Sequence, residues 1–138
     1  MGFWYPSTKT AFASPMPVSL ADNIIFYFES LTVYCALLDV ARTCNSGDRI
    51  VIYTDNLNTV HMFNSLSCPP SFNPLLRAAV DVIIEQQLHL RVLHIAGADN
   101  TVADALSRVR FDIALELVPD LTINAFLPPP WTLGAVEL

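Results

Sequence analysis

The run Arg49-Ile-Val-Ile-Tyr-Thr54, closed by Asp55-Asn56, constrains the fold of this chain more than any other segment. It is almost uninterrupted in apolar character and rich in β-branched side chains. Such a run reads as a strand buried on both faces of a parallel sheet. Its neighbours supply the layers. Upstream, Gly2-Phe-Trp-Tyr5 and Thr10 to Ala13 flank a turn at Pro6 and stop at Pro15 and Pro17, the pattern of a hairpin. Between hairpin and strand, Ile24, Tyr27, Phe28, Leu31, Tyr34, Cys35 and Leu38 recur at helical spacing, predicting a helix over about 23–43, capped by Ser19 or Asp22 and stopped at Asn45-Ser-Gly47-Asp.

Downstream, Asp55-Asn56 starts a short helix through about Leu66. A Pro-rich loop then leads to a helix over 74–88, with Pro74 at its first position and Leu75, Leu76, Ala79, Val80, Ile83 and Ile84 as its core face. Leu90 to Ile95 reads as a second strand, and Asp99 or Asn100 as the cap of a following helix that holds Asp104. Residues 112–118 extend or follow that helix. From Pro119 the prolines multiply without a helical or strand period, the signature of an extended tail or linker. The expected architecture is an α/β layered domain over 1–110, followed by a helical extension and Pro-rich tail over 111–138.

Composition narrows the function. Thirteen acidic against seven basic residues give a net charge of −6, wrong for a protein that grips nucleic acid by phosphate neutralisation alone. Charged residues make up only 14%, which predicts an unusually apolar exterior, as in a piece of a larger protein. Three cysteines without CxxC spacing favour neither a disulfide framework nor zinc, so a reducing, intracellular setting is expected. No run approaches the roughly 18 apolar residues of a membrane helix, and no signal peptide is evident.

Three acids stand at strategic points. Asp55 ends a strand, where open α/β sheets place ligands, although capping the next helix explains an acid there equally. Glu29 lies beside the apolar stripe of the long helix. Asp104 sits among Val102, Ala103, Ala105 and Leu106, where packing explains it poorly, although an early-helix acid also suits the helix dipole. If they converge, three carboxylates repel unless a hard divalent cation lies between them. Mg²⁺ fits that description, and paired ions about 4 Å apart cleave phosphodiesters.

Phe-Tyr-Phe-Glu29-Ser-Leu, Ile-Tyr-Thr-Asp55-Asn and Gly97-Ala-Asp-Asn100-Thr-Val-Ala-Asp104-Ala-Leu-Ser-Arg108 resemble the ribonuclease H domain of retrotransposon reverse transcriptases of the fungal type. The resemblance spans roughly residues 2–110, and the Asn-x-x-Ala-Asp-x-Leu-Ser-Arg run is its most specific part. It implies a mixed sheet flanked by helices, two Mg²⁺ ions, and hydrolysis of RNA in an RNA–DNA hybrid, with the rest of a polyprotein as a further partner. Glu29, Asp55 and Asp104 match the last three of the family's four acids, as catalytic residues and metal ligands. The first acid lies, in the family, on a central strand upstream of the one resembling Gly2 to Tyr5. Asp22 lies after the hairpin and does not replace it. The resemblance therefore implies a domain lacking its first, central strand, with weak or no cleavage. A non-catalytic module of the same fold, binding nucleic acid or a protein, is the alternative, and an unrelated α/β small-molecule domain a third. Asn56 and Arg108 are candidate nucleic-acid contacts, competing with capping for Asn56 and with pairing at the helix C-terminus for Arg108. Cys35 belongs to the helix core and His94 to a polar rim.

Overall fold

The computed structural model of the chain describes residues 1–15 and 22–133. The elements run in chain order as β1 (Gly2–Tyr5), β2 (Thr10–Ala13), α1 (Asp22–Ala41), β3 (Arg49–Thr54), α2 (Leu57–Ser65), α3 (Asn73–Glu85), β4 (His89–His94), α4 (Thr101–Ser107), α5 (Phe111–Leu117), β5 (Thr122–Ala125) and α6 (Pro130–Leu133). Short 3-10 turns occupy Pro70–Phe72 and Gly97–Asp99. The class is α/β. Its strands lie in a mixed sheet ordered β1-β2-β5 and a parallel pair β3-β4. The chain divides into two compact units, Met1–Leu20 with Ile95–Leu127, and Ala21–His94 with Pro128–Leu138.

In the first unit, β1 and β2 form the expected hairpin, Gly2 opposite Ala13 and Tyr5 opposite Thr10. Alternation gives the sheet two unlike faces. Ala11 and Ala13 turn towards α4, whose Val102, Ala105 and Leu106 join them with Ala114 and Leu121 in one buried cluster. Small residues allow the close approach: a Cβ added at Gly2 would lie 2.5 Å from Leu106 Cβ. The opposite face is aromatic, with Phe3 stacked on Phe12 at 5.0 Å and tilted against Phe126 at 5.3 Å. The segment after Pro119 departs from the expected tail. Thr122–Ala125 pairs in parallel with β2, and the flanking bonds Thr122 N to Lys9 O (2.9 Å) and Phe126 N to Ala13 O (3.1 Å) continue the ladder. Four residues are too few to display a period, and their partner lies over a hundred positions upstream.

In the second unit, β3 and β4 pair in parallel from Arg49 opposite His89 to Thr54 opposite His94. Ile50, Thr54 and Val92 are buried beneath α1 and α2, which pack on this sheet. The expectation that β3 is buried on both faces is corrected here. Val51 and Tyr53 remain 49% and 59% exposed, because the helices cover only the face of the even-numbered residues. Apolar content registers β propensity, not how many layers cover a strand. β4 has a guarded outer edge. Asn64 Nδ2 donates to Val92 O (2.8 Å) and Asn64 Oδ1 accepts from Val92 N (3.3 Å), so one side-chain amide stands in for a strand partner.

α1 buries more than the expected stripe, since Val33, Ala36 and Leu37 join Tyr27, Phe28, Leu31, Tyr34 and Cys35. α2, α3 and β3 all pack on it, so no single face suffices. The Tyr27 hydroxyl donates to Thr132 O, and Trp131 lies 6.1 Å from Tyr34, which fixes α6 against α1. The Ser19 and Asp22 caps and the Ile24 side chain lie outside the described residues and side chains.

Candidate functional site

Glu29 and Asp55 belong to the second unit and Asp104 to the first. Asp55 follows the last residue of β3 and is exposed. Its neighbour Asn56 is the N-cap of α2, in extended conformation (φ −93°, ψ 107°), and its Oδ1 accepts from Thr59 N at 2.9 Å. The capping role competing for Asn56 is therefore realised in the structure. The same Oδ1 accepts from the Thr59 hydroxyl at 3.1 Å, and Thr59 Oγ1 lies 3.2 Å from Ser30 Oγ. Ser30 and Thr59 are both fully buried.

This Ser30–Thr59–Asn56 chain fastens the turn of α1 carrying Glu29 to the strand end carrying Asp55. Buried hydroxyls persist where they are satisfied, and here they satisfy each other. The sequence signals these residues faintly: Ser30 is a hydroxyl within an otherwise apolar helical stretch, and Thr59 sits at the third helical position after a capping Asn. Glu29 itself is half-buried beside this junction.

Asp104 lies on the solvent side of α4, opposite the buried Val102, Ala105 and Leu106. Its Oδ1 accepts from Arg108 Nε at 3.1 Å, one helical turn on. With half of the carboxylate side chain exposed, such a pair contributes about 0–1 kcal/mol. Arg108 is thus engaged by an acid rather than by the helix C-terminus. The cap expected from Asp99 or Asn100 is not made by a side chain. Asp99 closes the 3-10 turn, and Asn100, at φ −104° and ψ 37°, is outside the extended region from which a cap side chain reaches forward.

Among the described residues, no three His, Cys, Asp or Glu side chains gather closely enough to hold a metal ion. Cys35 is inert in its surroundings, since burial pushes its thiol up to about 12. His94 is exposed at the end of β4. A surface cavity of about 290 Å³ opens between α2, α3 and β4, lined by Phe63, Leu66, Ile83 and Arg91 among others, and none of the candidate acids borders it. No described helix is long and apolar enough to cross a membrane. Compared with protein-family models, curated proteins and solved structures, the chain matches none.

Proposed function

We propose that the chain is a ribonuclease H-like domain of the retrotransposon reverse-transcriptase type, in which hydrolysis of RNA in RNA–DNA hybrids is weak or lost. The observation that carries this reading is the buried Ser30–Thr59–Asn56 chain. It holds together the two elements bearing Glu29 and Asp55, which match the second and third of the family's four acids. The order hairpin, long helix, strand, helix pair, strand and acid-bearing helix supports it as well.

The reading assigns Mg²⁺ the chemistry of hybrid cleavage, with Glu29, Asp55 and Asp104 as its ligands in the family. Here Asp104 pairs with Arg108 at the surface, a contact of about 0–1 kcal/mol that a divalent ion outcompetes, but no residue of the sequence matches the first of the family's four acids. Cleavage that depends on a complete two-ion site should therefore fail. Incubating the chain with a labelled RNA–DNA hybrid and Mg²⁺ tests this. The expected result is cleavage near background, unchanged by Asp55→Asn. Efficient cleavage abolished by that substitution would refute the loss of activity.

A second reading, a non-catalytic module with a protein partner within a polyprotein or outside it, is favoured by the surface of α5. Its Phe111, Ile113, Leu115 and Leu117 are each more than a third exposed. Hybrid binding that falls steeply with salt would instead favour a nucleic-acid role.

A further inference from the structure

The two edges of the β3-β4 sheet are treated differently. On β4, Asn64 occupies both backbone groups of Val92. β3 has no such guard among the described residues, and it carries neither Lys nor Pro, the residues that usually protect an edge. The phase of the ladder tells which groups are left over. His89 N donates to Asp48 O at 2.9 Å, and Val92 turns its backbone outward to Asn64. Alternation then directs the backbones of Ile50, Ile52 and Thr54 towards β4, and those of Val51 and Tyr53 towards the open edge.

The side chains in the same phase are also exposed: Arg49, Val51, Tyr53 and, just beyond the strand, Asp55. Neither Arg49 nor Asp55 forms an ion pair among the described residues. Read from its centre outward, the edge is self-complementary. A two-fold axis through Ile52 places Val51 opposite Tyr53 of the partner subunit, and Arg49 opposite Asp55 of the partner subunit. The first are hydrogen-bonded positions that exchange both N–H···O=C bonds. The second is an opposite-charge pair, repeated at the other end by symmetry.

We propose that this edge is a homodimer interface, in which β3 pairs antiparallel with β3 of a second copy of the chain. The contact would extend the sheet to β4-β3-β3-β4 and satisfy the Val51 and Tyr53 backbone groups. Each exposed aromatic ring would lie beside an exposed β-branched side chain, a favourable cross-strand pair. A single short edge buries far less than the roughly 1,600 Å² of a standard stable complex, so the dimer should be concentration-dependent. The inference does not rest on the ribonuclease reading, because it uses Asp55 as a charge at an edge rather than as a ligand.

Sedimentation velocity across a concentration series, with amide hydrogen exchange at its two ends, tests the proposal. The expected result is a monomer-to-dimer shift. Exchange should slow at Val51 and Tyr53 on dimerisation, with Ile50, Ile52 and Thr54 unchanged because β4 already holds them. Asp55→Arg should weaken the dimer about tenfold by setting like charges opposite each other, and Arg49→Asp added to it should restore the dimer. A variant that fails to fold is replaced by Val51→Lys, which guards the edge and should abolish dimerisation. A chain monomeric at every concentration overturns the proposal, whether the edge stays open or takes a different strand. A dimer indifferent to these charges overturns it too.

Discussion

Gly2→Ala probes the closest approach of sheet and helix in the first unit. The added methyl would lie 2.5 Å from Leu106 Cβ and 3.0 Å from both the Leu106 carbonyl carbon and the Ser107 nitrogen. Carbon atoms pack comfortably at about 3.5–4.0 Å, so β1 and α4 must separate by about 1 Å. Two of the three atoms met are backbone, which no rotamer change can move. Leu106 is fully buried at the centre of the cluster, so the displacement spreads to Ala11, Ala105 and Leu121. Overpacking of this kind costs about 1–3 kcal/mol, while replacing a strand glycine returns about 0.5–1 kcal/mol. The expected net loss is about 1–2 kcal/mol. At a urea m-value of about 1–3 kcal/mol/M, the unfolding midpoint should fall by roughly 0.3–2 M. Trp131→Phe leaves Trp4, which packs against the same cluster, as the only indole and makes its fluorescence a probe of this unit. Leu106→Ala should not relieve the defect, because alanine keeps the offending Cβ; its own cavity cost, about 2–5 kcal/mol, should add. A midpoint that stays level or rises in Gly2→Ala, or one recovered by Leu106→Ala, would refute the argument.

Two further expectations concern the second unit. Asn56→Ala removes the cap of α2 and an acceptor from the buried hydroxyl chain, and should lower stability by about 0.5–2 kcal/mol in a thermal melt; an unchanged melt would show that the chain does not hold the strand end. Cys35, raised by burial from 9.0 to about 12, should resist a thiol reagent at pH 8 until the chain unfolds. The thiol stays neutral in the fold where the unfolded chain would ionise, so the associated stability is complete below about pH 9 and is lost as pH rises towards 12. Cys35→Ala should flatten that alkaline slope, and a slope identical to wild type would assign it to other groups.

Much of the architecture is legible in the sequence because local chemistry and final environment agree. Asn56 announces α2 and caps it; Pro74 falls in the first turn of α3; the apolar run from Arg49 is a strand. What is not legible depends on partners remote in sequence. β5 is a four-residue strand whose only signal is β2, far upstream. The one-sided burial of β3 follows from how many helices reach it, which its own composition does not encode. The acids divide in the same way. Asp55 is exposed at the end of a strand as its position implies, whereas the Asp104 carboxylate, singled out for its apolar neighbours, faces solvent and meets Arg108. Helical periodicity explains this: the neighbours in sequence point into the core while residue 104 points away.

The amide of Asn64 has a consequence for assembly. A strand pair open on both edges is a unit of unlimited growth, because each added copy presents a fresh template. With Val92 already occupied, the centre of the β4 edge is closed to a further strand, and among the described residues only the β3 side of this sheet has no such guard. Within this sheet the residue acts as a terminator: an unguarded β3 edge can take one partner strand, and Asn64 keeps the middle of β4 from offering the next copy a second template.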